Sequence, residues 1–197
     1  MTTALTAEEI KELGPLAALV GTWEGDKGTD VAPSDADGPQ DRGTATSPYR
    51  ERIVFEPIGR VDNHAQVLCG LRYRTTAWRI DAPESNSFHE EVGYWLWDAA
   101  AEQVMRCFIV PRGVSVIAGG SATAGATGFE LEANVGSATF GICSNPFLDR
   151  EFRTVRYTLT VALHDDGSWS YDEDTQMQLA TGALFHHTDA NRLHLVG

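Results

Sequence analysis

The sequence predicts an all-β fold: a single antiparallel up-and-down β-barrel of about ten strands behind a short N-terminal helical segment. Three observations carry this reading. From Tyr49 onward apolar and polar residues mostly alternate, the period of a half-buried strand. Turn signals cut that pattern into short runs at meander spacing. The stretch Gly21-Thr22-Trp23-Glu24-Gly25-Asp26-Lys27-Gly28 sets a large aromatic among glycines, where a first strand must bend to close a barrel.

Residues 1–15 form a helical lead-in, and the barrel occupies 16–197. Thr6 and Glu9 have the spacing of a capping box, and Ile10, Leu13 and Leu16 supply an apolar stripe. Gly14-Pro15 interrupts it, so two short helical pieces are expected. Trp23 is read as a plug at one end of the barrel. Residues 29–48, rich in Asp, Pro, Gly, Ser and Thr, read as a long irregular loop. Within it, Asp35-Ala36-Asp37-Gly38 resembles a calcium loop only faintly, lacking the sixth-position glycine and distal glutamate.

Strands are then expected around Ile53 and Phe55, from Ala65 to Ile80, Phe88 to Asp98, Val104 to Val110 and Val114 to Ala118. Phe129 to Ala133 and Ser137 to Cys143 follow, with a turn at Asn134-Val135-Gly136 between them. Val155 to Leu163 and Ser168 to Leu179 flank a tight turn at Asp165-Asp166-Gly167, and a short strand near Asn191 to Val196 ends the barrel. Closure removes the edges that an open meander would expose, and a barrel of this size encloses one small ligand.

Composition excludes several classes. The chain has 197 residues and a formal charge of −13, which opposes binding to nucleic acid or to an anionic membrane surface. No apolar run approaches the roughly 18 residues of a membrane-spanning helix, and no signal peptide is visible, so a cytoplasmic protein is expected. Cys69, Cys107 and Cys143 lie far apart in apolar contexts and read as buried free thiols. There is no Gly-x-Ser-x-Gly, no phosphate loop and no zinc spacing, so no catalytic residues are assigned.

Four segments together resemble the nitrobindin family of heme-binding β-barrels, related in shape to lipocalins and fatty-acid-binding proteins. They are Leu19 to Gly25, Phe88 to Trp95, Pro111-Arg112-Gly113 with Gly119, and Phe185-His186-His187-Thr188-Asp189-Ala190-Asn191. Closest is the bacterial branch described as fatty-acid-binding-protein-like. The chain departs from the better-studied nitrobindins after Gly25, and Thr-Asp-x-Asn follows the C-terminal histidine pair.

The resemblance implies heme b in the barrel, an axial histidine near the C-terminus, and iron-borne reactivity with nitric oxide and peroxynitrite. His186 and His187 are the candidates. Neighbours in a strand face opposite sides, and His187 has the parity of Leu193 and Leu195, so it is the assigned iron ligand. The competing reading has His187 bonded to Asp189 or a backbone carbonyl near the barrel mouth, without iron. The resemblance puts His89 on a pocket-lining strand, against a solvated histidine beside Glu90. Met177, on the apolar face of its strand, either touches a ligand or is core. Glu90-Glu91 and Asp172-Glu173-Asp174 read as solvated edges, although Glu173 shares the parity of the apolar face. The alternative function is a heme-free carrier of fatty acid or another apolar ligand, for which Arg72, Arg74, Arg79 and Arg106 would supply a carboxylate partner. A homodimer and a barrel filled by its own side chains are also left open.

Overall fold

A computed structural model describes residues 5–34 and 43–196. Helix α1 (Ala7–Leu13) starts at the expected capping box, with Thr6 Oγ1 accepting from the Glu9 amide and Glu9 Oε2 from the Thr6 amide. Gly14 ends it at φ 53°, and a 3₁₀ helix (Gly14–Leu19) continues from Pro15. Gly14 is required twice over: a Cβ there would also stand 2.6 Å from the Trp97 indole nitrogen. Leu13, Leu16 and Leu19 are buried and join the main core.

The strands are β1 (Gly21–Pro33), β2 (Thr44–Asp62), β3 (Val67–Arg79), β4 (His89–Asp98), β5 (Gln103–Val110), β6 (Val114–Ser121), β7 (Gly128–Val135), β8 (Gly141–Ser144), β9 (Phe152–Leu163), β10 (Trp169–Leu179) and β11 (Leu184–Leu195). They close into one barrel, in the order β1-β11-β10-β9-β7-β8-β6-β5-β4-β3-β2. Pairing is antiparallel except for a short parallel contact of β7 with β8. The closing seam is β1 against β11, where Trp23 pairs with Leu195 and Asp30 with Asp189.

The glycine stretch is where β1 bends. Its register with β2 shifts between Gly25 and Gly28, and with β11 between Glu24 and Thr29. Trp23 is buried, donates its indole N–H to the Leu19 carbonyl at 2.7 Å and meets Trp169 edge-on. With Phe55, Tyr73, Trp95 and Trp97 these rings fill one end of the barrel. Edge-on and stacked pairs such as Phe55–Trp95 and Phe55–Tyr73 contribute about 1 kcal/mol each beyond their buried area.

The structure differs from the sequence expectations in four places. Residues 29–33 and 44–48 are strand, so the irregular stretch is shorter than 29–48 at both ends; the Asp35–Gly38 fragment lies outside the described residues. The last strand runs from Leu184, not from near Asn191, because Thr188 to Asn191 continue the ladder to β10 and β1. Of the run from Ser137 to Cys143 only Gly141 to Cys143 are strand, and a helix the alternation hid, α2 (Pro146–Glu151), follows. Asn145 caps it, accepting from the Phe147 and Leu148 amides. Of the cysteines only Cys69 is buried; Cys143 faces outward because its neighbour Ile142 takes the inward position. Among the described residues no helix is long and apolar enough to cross a membrane.

Candidate functional site

At the end of the barrel away from Trp23 lies a cavity of about 550 Å³, within the roughly 300–1,000 Å³ of small-molecule sites. Its rim is apolar, with Phe88, Val110, Phe147, Phe152 and Met177, and α2 covers part of it. Deeper in, the wall becomes polar and charged.

The floor is organised by Arg106 of β5, which is 6% exposed. Its guanidinium donates to Glu91 Oε2 and Tyr157 OH, to Glu173 Oε2 at 2.8 Å and to Tyr73 OH at 3.1 Å. Tyr73 and Tyr157 pass their own hydroxyl hydrogens on to Glu91 and Glu173. His89 Nε2 lies 3.2 Å from the other Glu91 oxygen. Burial disfavours the Glu91 charge, but Arg106 and then His89 outweigh it and hold the carboxyl below its usual range. Burial likewise opposes the His89 charge, and Glu91 reverses this, raising its pKa to about 9.

A second cluster surrounds Glu51 of β2. It accepts from Asn191 Nδ2 at 2.8 Å and from Tyr171 OH at 2.9 Å, and Tyr171 in turn meets Tyr49 OH. Among the described residues no cation pairs with Glu51, and burial dominates and raises its pKa to about 7.

The third cluster straddles the β1–β11 seam. His187 Nε2 stands 3.0 Å from Asp30 Oδ1 and 3.4 Å from Asp189 Oδ2. Asp30, 2% exposed, also takes Arg79 Nη1 at 2.6 Å. Burial works against the His187 charge, but Asp30 and then Asp189 outweigh it and raise its pKa.

The candidate histidines separate as parity requires. His187 faces the cavity, whereas His186 points outward and pairs with Asp174 at 2.7 Å. His89 and Met177 line the cavity, His89 at the floor network and Met177 at the rim. The contact between His187 and Asp189 that the iron-free reading foresaw is present, joined by Asp30. Sequence reasoning missed Asp30, Glu51 and Glu91 as cavity residues; it placed Arg106 only as a partner for a fatty-acid carboxylate and Asp189 only as a partner of His187. Glu91 is 4% exposed and is no solvated edge. A signal did exist: Glu51 shares its parity with Ile53 and Phe55, and Asp189 shares that of His187 and Leu193.

For an axial iron ligand, Nε2 must be a free lone pair with open space around it for the porphyrin. Here His187 Nε2 is taken up by two carboxylate oxygens, at 3.0 Å and 3.4 Å, rather than presented as a free lone pair. His89 Nε2 is similarly committed to Glu91. In this arrangement the cavity residues do not fit an iron-bound heme.

Comparison with solved structures supports the fold. The crystal structure of Rv2717c from M. tuberculosis matches with a TM-score of 0.62 and 21% sequence identity, covering 92% of this chain and 95% of that one. No curated protein matches the sequence. A family model described as the THAP4-like, heme-binding beta-barrel domain matches residues 12–194. The chain belongs to that THAP4-like heme-binding β-barrel family.

Proposed function

We propose that the protein is a ligand-binding barrel whose cavity takes a small molecule with an apolar body and an uncharged or cationic, hydrogen-bonding head. The observation that carries this is the saturation of Arg106. Its guanidinium is neutralised by Glu91 and Glu173, so it has no charge to offer a ligand carboxylate. Arg79 is likewise spent on Asp30 and on the face of Phe88, while Arg72 pairs with Glu56 outside. Arg112 is exposed where it lines the cavity, so a fatty-acid carboxylate that reached the floor would instead be buried against the cavity's own carboxylates, at a cost of several kcal/mol. Spare acceptors do exist: among the described residues Asp189 has no donor but His187, and both donors to Glu173 fall on Oε2.

Heme is the ligand that the family's description names, and His187 facing the cavity favours it. Iron ligation would first require His187 to lose its proton and leave Asp30 and Asp189.

Two titrations decide between the readings. Dodecylamine is expected to displace Nile red from the cavity at lower concentration than dodecanoate; equal or stronger displacement by dodecanoate overturns the head-group assignment. Hemin is expected to give no Soret band that depends on His187. A band present in the wild type and lost in His187→Ala would make heme the ligand.

A further inference from the structure

The seam cluster has the chemistry of a metal site. Asp30 of β1 with His187 and Asp189 of β11 offer two carboxylate oxygens and one imidazole nitrogen, all within 4.8 Å of one another. We propose that Asp30, His187 and Asp189 bind a divalent transition-metal cation of the zinc class, reached from the barrel cavity and held without a porphyrin.

Both separations from His187 are those of ligands around one ion, and the two carboxylate oxygens lie within 4.8 Å of each other. Bonds of about 2.1 Å from zinc to nitrogen or oxygen set adjacent ligands about 3.0 Å apart at right angles and about 3.4 Å apart at tetrahedral ones. The separations from His187 Nε2 are 3.0 Å to Asp30 and 3.4 Å to Asp189. Two carboxylates with one imidazole suit zinc, manganese or cobalt better than calcium, which takes only oxygen. On binding, the Nε2 proton leaves to solvent and the lone pair it occupied turns to the metal.

The surroundings favour a cation here. Asp30 turns Oδ1 to His187 while Arg79 grips Oδ2, the arrangement in which an outer partner fixes a ligating carboxylate. Asp189 has no other donor than His187 among the described residues, so its oxygens are free to turn to a cation. Asp30 is almost fully buried, but the side chains of His187 and Asp189 are 30% and 22% exposed, toward the cavity they line. That leaves coordination positions open to water or to a ligand heteroatom. The proximity that obstructs a porphyrin is no obstacle to a bare ion, because the two carboxylates become its ligands. The site stands whether or not the organic ligand has the head group proposed above.

The test uses the untagged full-length chain, stripped with chelator and titrated with Co²⁺, whose visible absorption reports coordination, with Zn²⁺ as competitor. One Co²⁺ per chain is expected, displaced by Zn²⁺. Asp189→Asn and His187→Ala should each weaken binding about tenfold or more, while His186→Ala on the outer face should leave it unchanged. Circular dichroism identifies any variant that fails to fold, and the isosteric Asp189→Asn decides if His187→Ala does. No cobalt band in the wild type, or a band undiminished in folded Asp189→Asn, overturns the proposal.

Discussion

His187 Nε2 lies 3.0 Å from Asp30 Oδ1 across the seam where the last strand closes on the first. Asp30 is 2% exposed and is shared between His187 and Arg79. The link therefore joins barrel closure to the cavity wall. Asp30→Asn keeps the volume but removes the charge, leaving two cationic neighbours with weaker acceptors. Both cations reach solvent, so the loss stays below that of a fully buried pair. A loss of about 2 kcal/mol is expected from urea unfolding, with amide exchange rising along β1 and β11 before the rest of the barrel.

Stability should be greatest at mildly acidic pH. Glu51 has a folded-state pKa of about 7 against 4.5 unfolded, so the native state holds more protons between those values and stability falls as pH rises through them. His89, at about 9 against 6.5, contributes stability that is full below 6.5 and lost as pH rises toward 9. Glu91 has the opposite sign: its lowered pKa contributes stability above 4.5 that is lost as pH falls. Thermal unfolding should therefore peak near pH 5 and decline toward pH 9. Glu51→Gln should reduce the decline between pH 4.5 and 7, which Asp189, also raised to about 7 by burial, shares, and His89→Gln should flatten that between 6.5 and 9.

The barrel was legible because its alternation is clean wherever one face is apolar, as along Tyr157, Leu159 and Val161. The facing of His187 was legible for the same reason, since β11 runs unbroken through Thr188 to Asn191. The charged interior was not. Asp30, Glu51, Glu91 and Arg106 are buried by partners from strands distant in sequence, and a period read along one strand cannot pair residues across the barrel. Composition also misled: Asp, Pro and Thr within 29–33 and 44–48 read as loop, yet the β1–β2 ladder carries Asp30 opposite Ser47 and Val31 opposite Thr46. Helix α2 is too short to show a helical period, and only Asn145-Pro146 marks its start.

Gly28 should tolerate no side chain. It pairs with Tyr49, whose ring lies over it, and a Cβ would come within 2.5 Å of the ring. Backbone φ there is ordinary, so the constraint is space alone. Gly28→Ala should push Tyr49 off Tyr171 and cost about 1–3 kcal/mol, measured by urea unfolding. Tyr49→Phe, which keeps the ring and loses only the hydroxyl contact, should cost less.

The Arg106 network can be tested as a unit. Arg106→Met retains most of the side chain's bulk but leaves Glu91 and Glu173 buried without their cation. Uncompensated buried charge is the dominant penalty in such a change, and about 3–5 kcal/mol of stability should be lost. If the loss came instead from packing, neutralising the acids would not restore it. Adding Glu91→Gln and Glu173→Gln to Arg106→Met should recover most of the loss, because each glutamine oxygen still accepts from Tyr73 or Tyr157. The same variant removes the acids that oppose a ligand carboxylate. Its preference for dodecylamine over dodecanoate should therefore shrink as its stability returns, with Nile red displacement measuring the first and urea unfolding the second.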